Sequence, residues 1–309
     1  MTDKTTNCSP TFHPSPTPFL YRAYQLLNGV SPSGALNCTD SIQSASDNLI
    51  FELRQAVNAI KLDAFELETG TVNYTKLNKS PAYKAFRQTT KQLQTFPLQS
   101  LSTNAERLAF WINLYNVLIM DAVIQFGIEN SVQDVRAFFA KAAYIIDGYR
   151  FSADDVEHGV LRANAGHPAI PGRQFKRNDP RHQFIMKSID PRIHFTLVCA
   201  SKSCPPIGIY NAENLDHQLE LAAINFINGG EVEIDVDTKT VEMSKIFQWY
   251  ALDFGGRVIN QLGMGNFSAV LHYIAPYVSD ESSKQGLENN PADFKVRFKK
   301  YDWGLNLVA

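Results

Sequence analysis

Much that would classify this chain at a glance is missing from it. Only four of its 309 residues are cysteine, and two of these, Cys8 and Cys38, lie in a Ser/Pro/Asn-rich N-terminal stretch. Such sparse usage excludes a disulfide-dense secreted scaffold, because a chain of this length can bury a full core without covalent staples. A reducing, cytoplasmic setting is the expectation. The opening segment MTDKTTNCSPTFHPSPTP lacks the apolar run of roughly 7–15 residues that marks a signal peptide, so export by that route is not expected. Long hydrophobic runs are also missing. The stretch 117–124 is interrupted by Asp121 and falls well short of the ~20 apolar residues that cross a bilayer, so no membrane span is expected.

Excess charge of either sign is absent. With 29 Lys and Arg against 31 Asp and Glu, the formal net charge is −2, and a nucleic-acid partner, which needs clustered cations, is not expected. The one basic stretch, 173–181, reads as a solvated loop. No repeat of fixed period and no sustained heptads occur, which excludes a coiled-coil partner mode.

What remains is a globular composition, 44% hydrophobic and 19% charged, fit for one large or two moderate domains. Residues 1–17 are rich in Pro, Ser and Thr and read as disordered. A helical N-terminal region, 18–100, precedes a core domain, 101–309. Helical spacing marks 19–27, 48–65 and 80–96, the last with Pro81 in its first turn. The segment 103–126 is the most strongly specified, with Thr103 and Glu106 in capping-box register and apolar residues on nearly every face, so it should run through the centre of the fold. A hairpin turning at Asp147-Gly148, a helix over 152–162, a strand over 193–199, a helix over 215–227 and a hairpin turning at 237–239 complete the pattern. The expected class is α+β, mostly helical at its start, with the central helix on a small antiparallel or mixed sheet.

The chemistry-bearing residues gather around HFTLVCASKSCPP, His194 to Pro206. If 193–199 is a strand, alternation sends Cys199 with Ile193, Phe195 and Leu197 to the apolar face and His194 to the other. Cys204 falls in a loop beside Lys202 and free backbone N–H groups, where a thiolate is favoured. The two thiols can be nucleophile and core residue, a redox disulfide, or part of a metal site that recruits His194 and His158. The Cys-x4-Cys spacing has no second metal-binding pair after it, so neither metal nor other cofactor is expected. A nucleophile needs a base and an orienting acceptor. His194 and His158 are the candidate bases, with Glu157 or Asp302 as orienter. On the central helix, Glu106, Asn113 and Asn116 share one polar arc; they line a cleft, where the asparagines could help hold an oxyanion, or tie down loops.

Four motifs in order, 104–116 (containing AFWINLYN), Val156–Arg162 (VEHGVLR), HFTLVCASKSCPP and the terminal YDWGLN, resemble the domain of unknown function 547 family over roughly residues 70–306. Val156 stands where the family pattern has Ile, and Gly304 where it has Ser. The resemblance implies a mostly helical α+β domain similar to papain-like or transglutaminase-like cysteine hydrolases. Those enzymes carry their cysteine at the start of the central helix, where this chain has Thr103, Asn104 and Glu106. The leading expectation is a cysteine-dependent hydrolase or acyl transferase acting on an amide or thioester of a small-molecule or peptide substrate. The alternatives are a binding module with structural cysteines and a Cys/His metal-binding protein.

Overall fold

The computed structural model describes residues 6–8, 13, 15–39, 43–66 and 70–308. The chain forms two compact units. The first comprises Met1–Ser188, Leu197–Glu213 and Trp303–Ala309; the second, Ile189–Thr196 and Asn214–Asp302. Of the N-terminal segment read as disordered, 1–5, 9–12 and 14 lie outside the described residues.

In the first unit, β1 (Thr6–Asn7) pairs antiparallel with β2 (Gly34–Ala35). Cys8 and Cys38 beside them are joined in a disulfide, where the sparse cysteines had pointed to none. Helices α1 (Phe19–Leu27), α2 (Leu49–Ala64), α3 (Tyr74–Lys79) and α4 (Pro81–Lys91) follow, with the short pair β3 (Phe65–Glu66) and β4 (Thr71–Val72) between α2 and α3. The sequence starts α4 where expected. The Ser80 hydroxyl accepts from the Ala82 and Tyr83 N–H groups, and Pro81 occupies the first turn, where its missing N–H costs nothing.

Helix α5 (Asn104–Phe126) begins at the Thr103–Glu106 capping box and ends at Gly127, whose φ of +63° closes the last turn in the left-handed region. It is as long and apolar as a membrane-spanning helix, yet most of its length is buried inside the protein. Trp111 packs 4.8 Å, centroid to centroid, from Phe151 on the hairpin that follows α6 (Phe138–Lys141). That hairpin is β5 (Ala143–Ile146) and β6 (Tyr149–Ser152), turning at Asp147 and Gly148, both of positive φ. The one acid on the inner length of α5, Asp121, is fully buried and accepts from Arg87 at 2.6 Å, Tyr83 at 2.5 Å and Tyr144 at 2.7 Å. Three donors offset a burial that by itself pushes the carboxyl up. Residues on both sides of position 100 therefore belong to one unit, because α4 supplies two of those donors.

Two local expectations change. After β6 the chain forms a π-helical turn, Asp155–Leu161, instead of an α-helix, and every residue of it is buried, so His158 is no surface histidine. Its widened spacing makes room for the Phe175 ring at Gly159, where an added Cβ would meet the ring at 2.3 Å. The expected strand over 193–199 does not form. Asp190 caps a 3-10 turn, Pro191–Phe195, by accepting from Arg192 N–H. An Asp-Pro start prevails over an alternating pattern because cap and fixed φ both favour a turn. The alternation argument that sent Cys199 to the apolar face therefore lapses.

In the second unit, α7 (Leu215–Phe226) leads to β7 (Val232–Asp235) and β8 (Thr240–Met243), an antiparallel hairpin, and β9 (Lys295–Phe298) joins β8 in parallel. Helices α8 (Ile246–Trp249), α9 (Val258–Gln261), α10 (Ser268–Ile274) and α11 (Glu281–Asn289) lie between β8 and β9. Phe195, Phe226, Phe247 and Phe254 form its aromatic core, with centroids 5.0 to 6.1 Å apart in contacting pairs. The class is α+β, with small sheets against dominant helices.

Candidate functional site

The cysteine loop is held from two sides within the first unit. On α5, Asn116 Oδ1 accepts from Val198 N–H at 2.9 Å. One turn earlier, Asn113 uses both ends of its amide on Tyr210, donating to its carbonyl at 2.7 Å and accepting from its N–H at 2.9 Å. Two amides on one helix face thus pin the loop at both ends. From the second side comes the segment after Asp302. Lys202 N–H donates to Gly304 O at 2.8 Å and Asn306 N–H to Ala200 O at 3.1 Å, while Asn306 Nδ2 donates to Gly70 O at 3.1 Å and Tyr74 donates to Asn306 Oδ1 at 3.0 Å. The YDWGLN motif is, in physical terms, a strand-like clamp on the cysteine loop. Ala200 is held at φ +63°, a conformation that costs a β-carbon-bearing residue roughly 1–2 kcal/mol and persists because both of its flanks are tied.

Within this frame Cys199 N–H donates to Cys204 Sγ at 3.0 Å. The Ser201 hydroxyl lies 3.2 Å from Cys204 Sγ and 3.3 Å from Cys199 Sγ; having one proton, it can donate to one sulfur at a time. Neither thiol is in a disulfide, and both are half-buried. Lys202, expected to favour the thiolate, is exposed. The N–H of Cys204 itself turns inward to Ser201 O. Tyr74 stays a phenol: burial first, then the charge of Cys204 and Cys199, push its pKa far up. A small apolar cavity of about 40 Å³, partly open to solvent, is lined by Phe110, Leu114, Val117, Ile207 and Ile209, with Asn113 and Asn116 on its wall. Ile207 follows Cys204 by three residues.

A second cluster in the same unit surrounds His158. Asp154 Oδ1 lies 3.9 Å from His158 Nε2, and Glu157 Oε1 lies 3.7 Å from Nδ1. Arg162 contacts Nδ1 at 3.2 Å, and the His167 ring stands edge-on with centroids 5.0 Å apart. Ligand atoms of Asp154, His158 and His167 fall within 4.8 Å of one another, close enough to share a cation. The donor set opposes one. Arginine can only donate, so His158 Nδ1 accepts, and His167 Nδ1 accepts from Ala169 N–H at 3.0 Å. Each neutral ring therefore carries its proton on Nε2, the reverse of a metal-ligating histidine, which donates its other N–H outward. Burial, with help from Asp155 and Glu157, raises Asp154 to about 7, although Tyr21 donates to it at 2.7 Å. Burial and Arg162 lower His167 to about 4.

His194 belongs to the second unit, where it is buried and stacked on Tyr250 at 4.0 Å. Its Nε2 meets Asp253 Oδ2 at 2.8 Å. The carboxylate beside it is thus Asp253, which sequence reasoning missed; the only available signal was an Asp in an aromatic-rich stretch. Of the other singled-out residues, Asp302 is exposed. Glu106 spends its carboxylate at the helix start, accepting from Ser102 and Thr103 N–H groups at 2.9 and 2.8 Å.

Compared with known proteins, residues 98–227 match the model of a family described as "Protein of unknown function, DUF547". That range contains α5, the His158 cluster and the cysteine loop. No curated protein and no solved structure matches the chain.

Proposed function

We propose that this member of the DUF547 family is a cysteine-dependent hydrolase or acyl transferase acting on an amide or thioester, with Cys204 as nucleophile. The observation that carries the reading is the hydrogen bond from Cys199 N–H to Cys204 Sγ at 3.0 Å, joined by the Ser201 hydroxyl at 3.2 Å. A donor aimed at sulfur favours the thiolate, the reactive form. In the reaction, Cys204 Sγ forms a bond to the carbonyl carbon, and the C–N or C–S bond breaks as the leaving group takes a proton from a histidine acting as general acid. Water or an acceptor nucleophile then gives a proton back to that histidine as it attacks the acyl-cysteine carbonyl, and the acyl C–S bond breaks to release the acyl product and the Cys204 thiolate. The cavity lined by Phe110, Leu114, Ile207 and Ile209 suits an apolar acyl portion.

The test is alkylation and acylation followed by mass spectrometry. Iodoacetamide should label Cys204 with a midpoint well below ~8.5, the value of an unperturbed thiol, and acyl thioesters should leave an acyl adduct that Cys204→Ser abolishes and Cys199→Ser retains. A midpoint at or above that value, together with no adduct, would end the proposal. The proton-transfer role is assigned by His194→Asn and His158→Asn made separately, the responsible one slowing acylation.

A second reading, a binding module with structural cysteines, is favoured by the commitment of Asn113 to loop backbone instead of to an oxyanion position. It requires that Cys204→Ser leave ligand affinity and stability unchanged.

A further inference from the structure

A separate cavity in the first unit, of about 290 Å³, is lined by Ser15, Arg22, Gln25, Arg150, Asp155 and Arg181, among others. Its charges are unevenly matched. Arg181 is spent on carboxylates: its NH1 donates to Asp155 at 3.0 Å, and its Nε and NH2 to Asp179 at 3.1 and 2.8 Å. Asp155 is filled in turn by Gln174 at 2.9 Å and Ser152 N–H at 3.0 Å. Arg150 is different. It is 5% exposed, and its Nε and NH2 donate, each at 2.8 Å, to the carbonyls of Gly34 and Ala140.

Both of those acceptors are neutral. Among the described residues, Arg150 NH1 has no partner, and no carboxylate stands within ion-pair distance of the guanidinium. Arg22, on α1, has no side-chain hydrogen bond or ion pair among the described residues, and the buried Ser15 hydroxyl has no partner either. Three guanidiniums, of Arg22, Arg150 and Arg181, thus share the carboxylates of Asp155 and Asp179 and a third acid, Asp154, which also attracts Arg150 but which burial raises to about 7, leaving it partly protonated at neutral pH. Positive charge, up to one unit, is left over in a place where burial makes an unmatched charge costly.

We propose that this cavity binds the carboxylate of a small organic acid, with Arg150 NH1 and Arg22 supplying the charged donors and Ser15 a further hydrogen bond. An excess of at most one positive charge suits a single negative charge, and Asp155 on the wall disfavours a second, which selects a carboxylate over a phosphate dianion. The space lies at the lower end of what small-molecule pockets occupy and exceeds what a bare ion fills. The site is independent of the cysteine chemistry, and a failure of either leaves the other standing.

Calorimetric titration of the full chain with acetate, butyrate, benzoate and inorganic phosphate, at neutral pH and low ionic strength, tests it. Butyrate and benzoate should saturate one site and inorganic phosphate should bind more weakly. Arg22→Gln should weaken the carboxylates by about tenfold or more, the loss expected for a charged hydrogen bond, with Ser15→Ala weakening them less. Both positions are only partly buried, so both variants should fold, which unfolding curves will verify. Lack of saturable binding by every carboxylate, tighter binding of phosphate, or unchanged affinity in Arg22→Gln would each overturn the assignment.

Discussion

Replacing Asp154 or His167 should change the slope of stability against pH in opposite directions, because the two neighbours have been displaced oppositely by the same burial. Asp154 is raised from 3.8 to about 7. Its contribution is fully present below 3.8, where it is protonated in both folded and unfolded chains, and is lost as pH rises through about 7. At about 1.4 kcal/mol per pH unit, the loss amounts to about 4 kcal/mol. His167 is lowered from 6.5 to about 4. Its contribution is present above 6.5 and lost as pH falls toward 4, up to about 3 kcal/mol, less what solvent at its exposed edge screens. Over the shared window these terms oppose each other, so the pair leaves the natural protein with little slope.

Asp154→Asn keeps an acceptor for the Tyr21 hydroxyl and removes the titration, leaving His167 alone; stability should then rise with pH from about 4 to 6.5. His167→Gln leaves Asp154 alone, and stability should fall as pH rises toward 7. Urea unfolding at closely spaced pH values, plotted as the difference of each variant from the natural protein, gives both slopes directly. Difference curves that are flat, or that slope the same way for both variants, would refute the reasoning.

Three shorter predictions follow from packing and hydrogen bonding. Asp121→Ala strands Arg87 and two buried phenols without their shared acceptor and should cost about 3–5 kcal/mol in chemical denaturation. Gly159→Ala drives a methyl into the Phe175 ring and should destabilise by about 1–3 kcal/mol, visible as a lower Tm with unchanged helical circular dichroism. Asn306→Ala removes hydrogen bonds to Gly70 and Tyr74; global stability should fall by about 1–3 kcal/mol, and alkylation of Cys204 should accelerate as its loop loosens.

The sequence made the helices legible wherever local chemistry and periodicity agreed. Thr103, Glu106 and Gly127 delimit α5, and Ser80 with Pro81 starts α4, because caps act on residues three or four positions away. Both hairpin turns were legible for the same reason. Residues 193–199 were misread because two local signals conflicted and the Asp190-Pro191 start was given too little weight. The candidate site was legible only in part. Motif residues such as Asn116, His158 and Cys204 stand out as residue types, but their partners come from afar: Val198 for Asn116, Tyr21 for Asp154, Asp253 for His194. Spacing along a chain carries no record of such pairings. Nor does it reveal that Arg150 is buried against carbonyls instead of carboxylates.

The clamp formed by Gly304 and Asn306 on the cysteine loop has a consequence during synthesis. The residues that fix Ala200 and Lys202 are separated from them by the whole stretch 214–302, which forms most of the second unit. A ribosome must therefore finish that unit before the cysteine loop can meet its clamp. Through that interval the thiols of Cys199 and Cys204 sit in a loop lacking its final restraint. A nascent chain stalled before residue 303 would present them to alkylating probes more readily than the completed protein does.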